Sequence, residues 1–250
     1  MHDSWDFKMR LSTSFLLAAF SLTSAAVLRR ETTTPDVHLA VQPRCGSLSG
    51  AVADVNAGLR PLNTYKTIVS FGDAYSDGGV QDGSSLKPPV MNYPDPKAGG
   101  RMSNGPIWVE NLAKSVGATL KDYAASGAVV DSSQYPGTNL DRVNDFSAQA
   151  NLFIGQGVKY DPDTTLYTVF FGINDFEEGG DLNMVAQNIA YRLVVLSSSP
   201  AFARNVLVVD NYGRGTNTSA GEAFKQQVFS ALKSLHTLLG MNIGYVDLSM

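Results

Sequence analysis

Three short stretches hold the residues whose types bear on chemistry. They are Phe71-Gly72-Asp73-Ala74-Tyr75-Ser76-Asp77, then Asp122-Tyr123-Ala124-Ala125-Ser126-Gly127-Ala128, then Phe171-Gly172-Ile173-Asn174-Asp175. Carboxylates and hydroxyls suit proton transfer and nucleophilic attack, whereas amide and backbone N–H groups suit a developing negative charge. Each residue also has a structural reading. Asp73 can hydrogen-bond the backbone of its own loop, Gly127 can be a turn glycine, and Asn174 can cap a helix. Asp175 is expected to do structural work. Ser76 is expected to cap a helix after the first stretch, with Asp77 near the positive end of its dipole. Tyr75, Trp108 and Tyr123 either line a ligand crevice or belong to the core, the commoner fate of such aromatics.

The elements that must position these residues follow from the apolar pattern. Residues 66–71 (KTIVSF) form a short β-branched run ending in glycine, which reads as a buried parallel strand. Similar runs at 119–123, 165–171, 205–210 and 243–247 predict four more strands. Helical spacing appears at 107–116, 143–154, 182–197 and 220–239, the last with a stripe of Phe224, Val228, Leu232, Leu235 and Leu239 and a capping Gly240. Residues 78–106 carry too many Gly and Pro for regular structure. Strands alternating with helices predict an α/β fold with a parallel sheet. Ligands of such sheets sit beyond the C-terminal strand ends, so the loops after Phe71, Tyr123, Phe171 and Asp210 should share one crevice.

Composition bounds the rest. The 250 residues are 44% hydrophobic and 17% charged, with a net charge of -4 and no basic run, which argues against nucleic acid as a partner. Lys8 and Arg10, the apolar run Phe15 to Leu22 and Ser24-Ala25-Ala26 read as a secretory signal over residues 1–26, too short to span a bilayer. Met9 would make a cleaner start, and Arg29-Arg30 suits either propeptide processing or surface charge. Residues 27–62 read as leader and linker. The single cysteine, Cys45, is odd for an exported chain, and Asn217-Thr218-Ser219 is a glycosylation sequon.

The three stretches, in this order and each after a predicted strand, resemble blocks I, II and III of the SGNH/GDSL hydrolases. Gly99-Gly100-Arg101-Met102-Ser103-Asn104-Gly105-Pro106-Ile107-Trp108 resembles the "GR-SNG--W" segment of fungal members. The likeness covers roughly residues 60 to 250. It implies an α/β, flavodoxin-like three-layer sandwich with a mostly parallel five-stranded sheet, over residues 63–250 and incomplete at its C-terminus. It also implies a secreted ester hydrolase, often of acetyl groups on plant-wall carbohydrate, needing no cofactor. Its partner would be a small-molecule or polysaccharide ester, with no nucleic acid and no membrane; the oligomeric state stays open.

In that family the block I serine attacks the ester. Its N–H, the block II glycine N–H and the block III asparagine amide form the oxyanion hole. Carried over, the donors are the N–H of Ala74, the N–H of Gly127 and the amide of Asn174, with Asp73 supporting block I. The serine itself falls on Ala74, and Ser76 is not expected to replace it. The family histidine lies in an Asp-x-x-His segment beyond the fifth strand. Here only His2, His38 and His236 exist, and His236 falls inside the last long helix. The chain ends about where that segment would begin, so a truncated product or mis-called exon is expected, with the partner of Cys45 in the missing tail. The expectation is a catalytically impaired esterase; the alternatives are a secreted pseudoenzyme that binds acylated carbohydrate, or a non-functional fragment.

Overall fold

The computed structural model describes residues 38–41, 59–139, 144–210 and 218–247. All lie within Pro35–Met250, one of two units into which the chain divides, the other being Met1–Thr34. The predicted signal, Arg29-Arg30, Cys45, His2 and Asn217 fall outside the described residues. Six strands form one sheet: β1 His38–Val41, β2 Thr67–Gly72, β3 Thr119–Asp122, β4 Thr165–Phe171, β5 Asn205–Asp210 and β6 Asn242–Asp247. Their order is β1-β6-β5-β4-β2-β3, and every pairing is parallel. The five expected strands are present. The sixth, β1, comes from the segment read as leader and linker, where no apolar alternation announced it.

Five helices connect the strands: α1 Trp108–Val116, α2 Phe146–Gly155, α3 Ile173–Glu177, α4 Leu182–Ser197 and α5 Ser219–Leu239. Their starts follow local capping chemistry. Asp145 accepts from the N–H of Ala148 (2.7 Å), so α2 begins three residues later than the apolar pattern suggested. Asp181 receives the N–H of Asn183 (2.9 Å) at the head of α4, and Thr218 that of Gly221 (3.0 Å) at the head of α5. Gly240, with φ of 64°, ends α5 in the left-handed region.

The sheet separates two apolar layers by the period-two alternation of its strands. Val69 and Phe71 of β2, with Tyr167, Val169 and Phe171 of β4, join the larger cluster formed with α2, α4 and α5. Ile68 and Leu166 point the other way, to Tyr65 and to Ala113 of α1. The predicted stripe of α5 is buried as far as Leu235, while Leu239 is exposed. Strand β4 is buried along its whole length, as expected of a central parallel strand covered on both faces. The result is a three-layer α/β sandwich. No helix among the described residues is long and apolar enough to cross a membrane.

From β2 the chain passes to β3 on one side and then returns to β4 on the other. The sheet therefore reverses its winding between β2 and β4. Ligands of open α/β sheets bind at such a reversal, beyond the C-terminal strand ends.

Candidate active site

The loop after β2 is held by side chains buried beneath it. Gln149 of α2 receives the N–H of Gly72 (3.0 Å) and donates to its carbonyl (2.9 Å) and to that of Asn144 (2.7 Å). A Cβ at Gly72 would come within 2.9 Å of Ser76 Oγ and 3.0 Å of the Phe170 carbonyl, so only glycine fits without movement. Asp73, fully buried, accepts from the N–H of Tyr75 (2.9 Å), and its carbonyl accepts from the N–H of Ser76 (3.0 Å). This closes a tight turn with Ala74 at its apex. No helix follows that turn; the next begins at Trp108. Ser76 therefore does not cap a helix as expected. Its Oγ is fully buried and accepts from Trp108 Nε1 (3.0 Å).

The second loop is tied to the first by carboxylates. Asp77 accepts from both the N–H and the Oγ of Ser126 (2.8 and 2.7 Å) and from the N–H of Gly79 (2.8 Å). Asp122 accepts from the N–H of Gly78 (2.7 Å) and of Ala124 (3.2 Å), and its burial pushes its carboxyl well above the usual range. The N–H of Ala125 donates to the Gly72 carbonyl (3.0 Å). Gly127 then turns the chain with φ of 83°, a backbone that a side chain would strain.

The third loop passes straight into α3. Gly172 occupies the N-cap position, so Asn174 lies inside the first turn and does not cap it. Its Nδ2 instead donates across to the Ala128 carbonyl (2.8 Å). Asp175 is fully buried and accepts from Tyr135 Oη (2.8 Å) and from the N–H of Val130 (3.2 Å). Burial pushes its carboxyl up to about 6, against the hydrogen bonds that favour the charged form. The Asp175 carboxylate thus does structural work, tying α3 to the segment that follows loop two.

Ala74, Gly127 and Asn174 share one property within these loops. Each is partly exposed, whereas Asp73, Ser76, Ala125, Ala128, Ile173 and Asp175 around them are buried. Among the described residues nothing accepts the N–H of Ala74 or of Gly127. The Asn174 amide has one hydrogen on Ala128 and a second to offer. Three N–H donors thus lie in the loops at one edge of the sheet, a chemistry suited to a carbonyl oxygen that gathers negative charge.

Other candidates stand elsewhere. Tyr123 is a core residue, packed on Phe71 and Phe153 with ring centroids 5.7 and 5.5 Å away, and its Oη donates to Gln156 (2.6 Å). It does not line the crevice. His236 faces the Met241 carbonyl through Nδ1 (2.7 Å), just before β6 begins. That is the N-terminal edge of a parallel sheet, opposite the three loops. Gln149 and Tyr135 escaped sequence reading, because nothing in a helix or loop pattern marks a buried amide or phenol that reaches another element.

Arg101 also went unread beyond its place in a motif. It is fully buried and forms a two-pronged pair with Glu110 (Nε and Nη2, both 2.6 Å). It further donates to the carbonyls of Ala98 (3.0 Å) and Lys87 (2.9 Å), anchoring the long irregular segment on α1.

The family model described as "GDSL-like Lipase/Acylhydrolase" matches residues 68–248. An acetylesterase of Hypocrea jecorina is 28% identical over 138 residues, which make up 50% of this chain and 39% of that protein. A thermolabile hemolysin of Vibrio parahaemolyticus is 30% identical over 125 residues, 48% of this chain and 28% of that protein. The chain thus spans well under half the length of either relative. A solved family two carbohydrate esterase from Clostridium thermocellum in complex with cellohexaose is 14% identical with a TM-score of 0.47, covering 73% of this chain and 53% of that one.

Proposed function

The chain belongs to the GDSL-like lipase/acylhydrolase family, and on that premise we propose that its crevice binds the acyl ester of a carbohydrate but hydrolyses it poorly. The observation that carries this reading is that Ala74, Gly127 and Asn174, each partly exposed in loops at one edge of the sheet, have N–H groups to offer, while position 74 bears no hydroxyl. In serine-type ester hydrolysis a hydroxyl oxygen attacks the carbonyl carbon and a histidine takes its proton. The alcohol leaves, and water then releases the acyl group. The donors stabilise the oxyanion in both halves, each contributing roughly 100- to 1000-fold in rate. Ala74 supplies the donor without the attacking atom. Ser76, buried with its oxygen accepting from Trp108, is poorly placed to substitute. His236 stands at the far edge of the sheet and cannot act as its base.

A short acyl group agrees with the relative named an acetylesterase. The carbohydrate alcohol and export from the cell rest on the resemblance of residues 99–108 to fungal members and on the N-terminal leader. A secreted pseudoenzyme is the reading the substitution at Ala74 favours most.

The test has two arms, with purified full chain throughout. Hydrolysis of a short-chain acyl ester should remain far below that of an ordinary serine esterase. Turnover at ordinary rates, abolished by Ser76→Ala, would place the nucleophile wrongly here. Calorimetry with an acetylated oligosaccharide should report binding, and no heat at millimolar ligand would sink the binding role.

A further inference from the structure

Tyr75 is the rim side chain to which none of the roles above gives work. It directly follows Ala74, and 43% of it is exposed. Its surroundings fix it. The backbone N–H is bound to Asp73 Oδ1 (2.9 Å), and the ring stacks on Phe170 with centroids 5.4 Å apart and planes inclined by 29°. Phe170 is buried near the end of β4, in register with Gly72 of β2. Its other neighbour is Trp108, edge-on at 6.0 Å and 72°, which is itself tied to Ser76 by its indole N–H. An exposed aromatic is thus stacked on a buried one, which Trp108 in turn braces edge-on, beside the apex of the first loop.

The arrangement has a chemical meaning. A ring already stacked and pinned loses little conformational freedom when a ligand covers it. It offers an apolar surface with a negative face, which suits C–H groups. The Asp77 carboxylate, two positions on, is taken up by Ser126 and Gly79 in the loops. A pyranose ring matches such a surface, having a face of C–H groups and a periphery of hydroxyls. We propose that Tyr75 is the platform on which the sugar ring bearing the acyl group stacks, so that it selects carbohydrate esters over simple alkyl esters. This rests on the ester-binding reading of the Ala74, Gly127 and Asn174 donors.

The experiment compares an acetylated xylo-oligosaccharide with methyl acetate as calorimetric ligands of the full chain. Variants are Tyr75→Ala, Tyr75→Leu and Tyr75→Phe, each checked by far-ultraviolet circular dichroism. The acetylated sugar should bind more tightly than methyl acetate. Tyr75→Ala and Tyr75→Leu should lose about tenfold for the sugar ester and little for methyl acetate, whereas Tyr75→Phe should keep most of the affinity, because the ring face does the work. Equal sugar affinity in Tyr75→Ala overturns the platform and leaves the ester site standing. So does a wild-type chain that binds methyl acetate as tightly as the sugar ester. If neither ligand binds, the ester-binding reading and the platform fall together.

Discussion

At the scale of single residues, the proposed site divides into N–H groups with a hydrogen to offer and side chains that hold their loops in place. Ala74 and His236 make the division testable. Restoring a hydroxyl by Ala74→Ser should not produce a full esterase rate, since the one histidine whose side chain is described lies on the opposite edge of the sheet. A full rate on a short-chain ester would show that another base serves the position. Asp175 yields a pH prediction. Its folded value of about 6 lies above the ordinary aspartate range, so the folded chain holds the proton more tightly than the unfolded one. Its contribution to stability is therefore complete below that range and is lost as pH rises through the folded value. Denaturant midpoints measured from pH 4 to 6.5 should fall more steeply in the wild type than in Asp175→Asn. Parallel curves would mean that the carboxyl titrates normally. The three loops that carry the proposed donors were legible in the sequence because glycine and asparagine in short loops after strands carry a recognisable pattern. Gln149, Arg101 and Tyr135 were not, because each acts on a partner from 9 to 77 positions away in the chain.

At the scale of elements, the irregular segment between β2 and α1 is the part that regular hydrogen bonding does not hold. Arg101 and Glu110 replace it. Removing one partner strands a buried charge, so Arg101→Met should destabilise by about 3–5 kcal/mol, while the double change with Glu110→Met should cost less than the sum of the two. A double-mutant cycle by chemical denaturation measures this; additive costs would show the pair to be uncoupled. Gly79 guards the same segment. Its φ is 85°, and a Cβ there would stand 2.6 Å from the Gly99 carbonyl. Gly79→Ala should accordingly lower stability by roughly 1–3 kcal/mol through strain, read as a shifted denaturant midpoint with unchanged slope. Helices α1, α4 and α5 were readable to within a residue of their starts, whereas the short α3 was not among the expected segments. The apolar period placed α2 correctly but not its first turn, which Asp145 decides.

At the scale of the whole molecule, burial is graded across the sheet. Strand β4 is fully buried and has a neighbour on each side, whereas β1 and β3 lie at the edges. Amide hydrogen exchange should therefore be slowest in β2, β4 and β5 and fastest in β1 and β3. Uniform protection across all six strands would argue that the sheet opens only as one unit. The reversal of winding between β2 and β4 is the feature that brings the candidate loops together. It places the loops carrying Ala74 and Asn174 on neighbouring strands, although the two residues are 100 positions apart in the chain.

The sequence alone determined the alternation of strands and helices and the chemistry of the three loops. Apolar periodicity and turn residues are local properties, written within a few neighbouring positions. It also settled that position 74 has no hydroxyl. Only the tertiary structure decided that β1 joins the sheet, that Tyr123 is core and Tyr75 is rim, and that Ser76 holds an indole instead of capping a helix. Those outcomes depend on which surfaces meet after the chain has wound across the sheet, and the free energy of burying or pairing a group belongs to that meeting rather than to the group.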